Sequence, residues 1–281
     1  MAATIHGDAA DYRRVLVTGA AGYLGSVLRA GLRGRYPALR LTDVAPLAHA
    51  PSADEEYVRC DLATPADVAA AMRGVDAVVH LGAQSVEADW ETILHANIVG
   101  TWNVFEAARR EGVRRVVYAS SHHVMGYYRR EQRVGVEEPP RPDSRYAISK
   151  VFGEAVGRMY ADKHGMSVVA QRIGVARVRP EIPRHLRTWI SERDYVQLTQ
   201  RCLDARDVHF LVVYGVSAND GAFWNNPGAD ALGFVPLDNG AAFADGVHAK
   251  QRPEDEPAVE RLFQGGWFCG MEFDGDVGDI D

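Results

Sequence analysis

The chain is 281 residues long, with 47% apolar and 25% charged residues, enough to bury a large core and far from the composition of a disordered chain. A formal net charge of -7 leaves no basic stripe for a phosphate backbone, which excludes nucleic acid and leaves a small molecule as the expected partner. Cys60, Cys202 and Cys269 are odd in number and lack CxxC spacing, so neither a disulfide framework nor a metal site is expected. No apolar run approaches the roughly 20 residues of a membrane span, and Met1 to Asp11 holds neither a basic nor an apolar leader, so no membrane partner is expected and the cytoplasm is the expected address.

Along the chain, short apolar runs alternate with amphipathic stretches of helical length, the pattern of βαβ units around a parallel sheet. Strands are predicted at Arg14–Thr18, Arg40–Asp43, Tyr57–Asp61, Ala77–Leu81, Arg115–Ala119 and Ser167–Ile173. Each is short and most are rich in valine, as strands covered on both faces are. Between them, apolar residues recurring every three or four positions predict helices at Tyr23–Arg35, Pro65–Met72, Trp90–Glu111 and Ser144–His164. Pro139, Pro140 and Pro142 make 129–143 an irregular loop leading into the last of these. After Ile173 the pattern weakens to a helix at Glu192–Leu203 and a strand at Val208–Tyr214. The Trp90–Glu111 helix can equally pack in the core or pair with a second copy; a homo-oligomer is expected.

Strand one runs into Thr18-Gly19-Ala20-Ala21-Gly22-Tyr23-Leu24-Gly25, with helical periodicity beginning at once. Gly19 permits a tight turn, Gly22 lets a pyrophosphate approach the backbone, and Gly25 lets helix and strand pack closely. The helix N-terminus offers unpaired N–H groups and a positive dipole to phosphates. Asp43 closes the second strand 18 residues after Gly25, where a carboxylate accepts hydrogen bonds from the adenosine ribose. Its charge would repel a 2'-phosphate, which favours NAD over NADP, although an aspartate there also suits a simple turn. Asp61-Leu62, at the end of the third strand, is placed to reach the adenine amino group. The expected fold is therefore α/β, a Rossmann-type doubly wound parallel sheet with helices on both faces and a small C-terminal part. In this single domain, 11–175 form the NAD-binding core, 176–270 are mainly substrate-binding, and 271–281 make an acidic, flexible tail.

Tyr146 and Lys150 are four apart on one predicted helix, so both project from the same face. A phenol loses its proton near pH ~10, but an ammonium one turn away and a cationic nicotinamide would both favour the phenolate. Ser121 lies 25 residues earlier, at the end of strand five, where ligands meet an open parallel sheet.

TGAAGYLG, Asp43, Asp61-Leu62, His80-Leu81-Gly82-Ala83, Asn97 in NIVGTWNVFEAA, Ala119-Ser120-Ser121 and Tyr146-Ala147-Ile148-Ser149-Lys150 stand in the order in which the extended short-chain dehydrogenases carry such motifs. Over residues 13 to 175 the chain resembles that family. The resemblance implies an NAD-dependent oxidoreductase in which Tyr146 is the acid/base, Lys150 positions the ribose and lowers the tyrosine pKa, and Ser121 holds the reacting oxygen. It further implies that Gly19, Gly22, Tyr23, Leu24 and Gly25, the backbone at Leu81, Gly82 and Ala83, and Ile173 line the cofactor. Asn97 is placed on the cofactor side too, supporting the active-site helix.

Within that family the chain is similar to the uronate dehydrogenases. CDLA at 60–63, HLGAQSVE at 80–87, GYY at 126–128, RPDSRYAISKVFGE at 141–154, RMYADKHG at 158–165, SAND at 217–220 and FQGG at 263–266 carry that likeness. It implies oxidation of a hexuronate, galacturonate or glucuronate, at its anomeric carbon, with hydride transfer to nicotinamide C4 and an aldarolactone as product. Arg184 would then clamp the sugar carboxylate, although Arg177, Arg179 and Arg187 nearby would by themselves suggest a solvated basic loop. Ser85, Ser121, His122, His123 and Tyr146 would complete the substrate side. Two positions depart from the pattern: His122 stands where asparagine is expected and Val175 where serine is expected. Adjacent histidines on a strand end point apart and have no carboxylate-rich partner motif, so no metal is expected. A nucleotide-sugar epimerase or dehydratase would use the same tyrosine and lysine but usually carries a larger lobe after strand six. A non-catalytic NAD-sensing protein would have no use for the serine, tyrosine and lysine.

Overall fold

The computed structural model of the chain describes residues 11–251 and 256–280; most of the opening stretch read above, and Asp281, lie outside them. Its strands are β1 (Arg14–Thr18), β2 (Ala38–Asp43), β3 (Glu55–Arg59), β4 (Ala77–His80), β5 (Arg115–Ser121), β6 (Ser167–Ile173), β7 (Val175–Ala176), β8 (Trp189–Ile190) and β9 (Phe210–Gly215). A seven-stranded sheet runs in the order β3-β2-β1-β4-β5-β6-β9, and every neighbouring pair is parallel. Connections leave β1 in one direction and β4 in the other, so a crevice opens beyond the C-terminal ends of β1 and β4, where such sheets bind ligands.

The helices are α1 (Tyr23–Leu32), α2 (Pro65–Met72), α3 (Trp90–Ile93), α4 (Gly100–Arg110), α5 (Arg145–His164), α6 (His185–Thr188), α7 (Glu192–Asp204), α8 (Pro227–Leu232), α9 (Ala244–His248), α10 (Ala258–Leu262) and α11 (Trp267–Gly270). Side chains alternate across each strand, so the sheet divides the core in two. Val15, Val17, Val117 and Val169 meet Leu28 and Leu32 of α1 and Tyr195, Leu198 and Leu203 of α7 on one face. Leu16, Val78, Val116 and Val168 meet Met72 of α2, Phe105 of α4 and Val156 and Tyr160 of α5 on the other. Both faces are therefore dry, as the valine-rich strands required.

Three differences from the sequence reading have physical causes. β3 lies two residues earlier than predicted, because Glu55 and Glu56 do not read as buried but pair with Arg29 and Arg40 at 2.7 and 2.9 Å. The predicted helix over 90–111 is interrupted by a π turn at Leu94–Val99, the kind of insertion that rotates side chains at functional sites. Its apolar residues divide, with Val104 and Phe105 fully buried while Trp90 is 49% and Trp102 44% exposed. The acidic end is exposed at Asp274, Asp276 and Asp279, yet it does not leave the body as the expected free tail. Val277 and Ile280 pack beside Phe263 and Cys269, and the Arg129 guanidinium donates to the Ile280 carbonyl at 2.8 Å.

Candidate active site

Beyond the strand ends lies a cavity of about 820 Å³, walled by the glycine loop, Asp43, Asp61, the β4 end, Ser121, Tyr146, Lys150, Arg184 and Phe268. Gly19 holds φ +68, and a β-carbon there would sit 2.7 Å from the Gly82 nitrogen, so loop and β4 end meet backbone to backbone. At Gly25 a β-carbon would strike the Gly19 carbonyl and the Ala20 backbone. At Gly22 it would meet only the Gly19 oxygen, at 3.3 Å, and otherwise enter the cavity. Helix α1 begins there with no side-chain cap and no acid in its first turn. Its N–H groups are thus left to a ligand, and these residues fit a dinucleotide pyrophosphate.

Around that end, Asp43 serves the turn and the site together. Its carboxylate accepts from the Ala21 and Ala45 backbone N–H groups, both at 3.0 Å, while it faces the cavity. The Asp61 carboxylate accepts from the Ala63 N–H at 2.9 Å, and Leu62 packs over Gly82. Tyr23 and Leu24 line the wall, with the Tyr23 hydroxyl donating to Glu192 at 2.8 Å. Leu81, Gly82, Ala83 and Ile173 line it too. Behind them Thr18 links the Gly82 N–H and His80 at 3.0 and 2.8 Å; burial, with the charge of Lys150, pulls the His80 pKa down to about 3.

Asn97 supports helix α5 from behind the cavity. It is absent from the cavity wall and is 1% exposed on the π turn. From there its amide exchanges hydrogen bonds with the Gln84 backbone at 2.7 and 3.0 Å and donates to Ser149 at 2.9 Å. It ties the loop after β4 to helix α5 from behind.

Helix α5 is held at its start by Ser144, which accepts from the Ala147 N–H at 3.1 Å. Glu87 accepts from the Tyr146 N–H at 2.8 Å. One turn in, the Lys150 ammonium donates to the Ala119 carbonyl at 2.8 Å and lies 5.6 Å from the Tyr146 ring centre. Burial pushes the Tyr146 phenol up to about 12, against the downward pull of its hydrogen bond with Ser121, and the Asp143 charge adds to the rise. The expected pull toward the phenolate came from Lys150 and a cationic nicotinamide together; in the protein by itself, desolvation of the ring is the largest influence on this phenol. Burial also brings Lys150 itself down to about 8.

His122 and His123 divide their work. His123 lines the cavity, stacks on Phe268 at 3.9 Å between ring centres, and meets the buried Asp143 carboxylate through Nδ1 at 2.6 Å. Asp143 in turn sits where β-carbons on Gly126 or Gly265 would be. The His122 nitrogens both face protein, with Nδ1 3.0 Å from the Ile173 carbonyl and Nε2 3.1 Å from an Arg184 nitrogen. His122 lines the cavity as well, but with both nitrogens engaged by protein. Ser85 is exposed at the rim, and Val175 lines the wall where it can only make apolar contact.

Arg184, at the start of α6, is 6% exposed, and the same Nη1 also donates to the Gln264 carbonyl at 3.2 Å. Among the described residues Nε has no partner, and no carboxylate lies within ion-pair distance of the group. Burial pulls its pKa down to about 10, still cationic at neutral pH. A desolvated guanidinium open to a cavity can pair with an anion that enters it. Asp143, Gln264, Phe268 and Glu87 were not singled out from sequence. The proline-rich loop masked the aspartate, and the others reach the site only through the fold.

Residues 15–176 match the profile of the NAD dependent epimerase/dehydratase family. The chain is similar to a uronate dehydrogenase of Pseudomonas putida, 44% identical over 92% of this chain and 96% of that protein. It is also similar to the crystal structure of uronate dehydrogenase from Agrobacterium tumefaciens, 44% identical at a TM-score of 0.88, covering 92% of this chain and 97% of that one. A mutant of that enzyme complexed with NAD superposes equally well, with a TM-score of 0.88 at 43% identity over 92% of this chain and 97% of that one.

Proposed function

This chain belongs to the NAD dependent epimerase/dehydratase family, and from that premise we propose that it is the NAD-dependent dehydrogenase of a free hexuronate, oxidising the anomeric carbon to a lactone. NAD is its cofactor; when bound, it supplies the hydride acceptor. The observation that carries the substrate reading is Arg184, a buried cation facing the cavity with no ion-pair partner among the described residues.

In this reading Arg184 takes the carboxylate at the far end of the sugar, which leaves the anomeric end toward Tyr146 and Ser121. Ser121 donates to the anomeric oxygen while the Tyr146 phenolate removes its proton as the bond order to carbon rises. Lys150 holds positive charge near the Tyr146 ring and would bind the nicotinamide ribose. His123, oriented through Nδ1 by Asp143, presents Nε2 to a ring hydroxyl. Phe268, 7% exposed, lines the cavity beside Tyr146 and would keep water from the reacting carbon.

The test is NADH formation from galacturonate and glucuronate set against galactose and glucose. Uronates should exceed the neutral hexoses by at least about a hundredfold in kcat/KM, the scale of a buried ionic contact, and Arg184→Ala should remove most of that advantage. Equal turnover of both classes by the unaltered enzyme refutes the clamp.

A further inference from the structure

The geometry points to His122 as a positioning residue for Arg184: a neutral imidazole that orients the guanidinium without neutralising it, leaving the whole charge for the substrate carboxylate. This rests on the uronate reading of Arg184 given above.

The argument is one of donors and acceptors. The Ile173 carbonyl, 3.0 Å from Nδ1, can only accept, so Nδ1 carries the hydrogen. The Arg184 nitrogen, 3.1 Å from Nε2, can only donate, so Nε2 presents its lone pair. Each partner therefore selects the same tautomer, and an imidazolium would set a second N–H against a guanidinium N–H. The ring has no room to turn away, being 2% exposed and packed between His123 at 4.1 Å and Trp224 at 5.4 Å between ring centres. Burial and the neighbouring charges hold its pKa well below the ordinary histidine value.

Buried Arg29 and Arg172 and part-buried Arg130 show the alternative, each lying against a glutamate at 2.7, 2.9 and 2.8 Å, which fixes them and cancels their charge. Buried Arg115 is held by the Cys202 and Ala205 backbone carbonyls, but it lies away from the cavity wall. Arg184 receives an imidazole and a backbone carbonyl instead. That pairing orients it while its attraction for an anion stays intact. The histidine standing where the family pattern has asparagine is thus used inward, toward the clamp, rather than toward the sugar.

Two variants of one size separate orientation from charge. His122→Gln keeps a neutral acceptor toward Arg184 and should hold the uronate KM within about threefold, while His122→Glu supplies an internal carboxylate and should raise it by about thirtyfold or more, with kcat changed far less in both. An equal rise for the two, or an unchanged KM in the glutamate variant, overturns the proposal. Should the glutamate variant not fold, nitrogen-15 NMR of histidine-labelled enzyme without substrate decides independently of turnover. His122 should show a protonated Nδ1 and an unprotonated Nε2, whose resonance moves in Arg184→Ala. A protonated Nε2, or a resonance indifferent to Arg184, overturns the assignment even if the enzyme prefers uronates. Conversely, the predicted signature in an enzyme indifferent to uronates would remove the substrate reading and leave the tautomer standing.

Discussion

At the residue scale, Tyr146 keeps its proton through the neutral range in the protein alone, since burial holds its pKa near 12. In the proposed mechanism the phenolate is the reactive form, and its population grows about tenfold per pH unit below that value. We therefore expect kcat/KM to climb with pH from about 6.5 into the alkaline range with a slope near one, read from initial rates at subsaturating uronate. A flat profile would exclude a free-enzyme phenol as the base. Tyr146→Phe should lower kcat by about a thousandfold, at the strong end of single acid/base deletions, while NAD binding measured by fluorescence stays intact. The charge facing the same space has the opposite logic: Arg184, with a pKa near 10, stays cationic from pH ~6.5 to ~9, the part of the window over which the two groups are compared. The pH rise should therefore appear in kcat and not in uronate KM.

Among the elements, the turn from β1 into α1 separates two uses of glycine that one motif merges. A β-carbon at Gly22 meets little protein and enters the cavity, whereas one at Gly25 collides with the Gly19 and Ala20 backbone. Gly22→Ala should leave the melting temperature nearly unchanged and weaken NAD binding by about tenfold or more. Gly25→Ala should weaken both, because the loop itself must move. Thermal denaturation beside an NAD titration distinguishes them, and equal effects on stability would contradict this division. Asn97 makes the same point about the limits of pattern. Its place in a helical stretch was legible, but a π turn spanning Leu94–Val99 turns it toward Gln84 and Ser149 rather than the cofactor, and no periodicity in the sequence announces an extra residue in a helical turn.

For the whole molecule, the Arg184 end of the cavity, the proposed substrate end, is held by a segment near the C-terminus that returns across the chain. Gln264 is fully buried. It donates to the Arg129 and Gln132 carbonyls at 3.0 Å each, accepts from the Trp224 indole at 2.9 Å, and its backbone oxygen receives Arg184 at 3.2 Å. Gln264→Leu strands those partners and should cost about 2–4 kcal/mol, lowering the melting temperature by roughly 5–15 °C. At a temperature where the variant is folded, uronate KM should rise while NAD affinity holds, since the glycine loop lies on the other side of the cavity. A parallel loss of NAD affinity would mean that the two ends are not independent. By itself the sequence determined the parallel sheet, the helices on both its faces, the cofactor end and the Tyr146–Lys150 pair, because those rest on local periodicity and short spacings that neighbours along the chain impose. Only the tertiary structure decided that His122 turns inward to Arg184 across 62 residues, that Asp143 orients His123, and that Gln264 closes the substrate end. Contacts between distant segments depend on how packed layers bring them together, and no pattern within one segment records that.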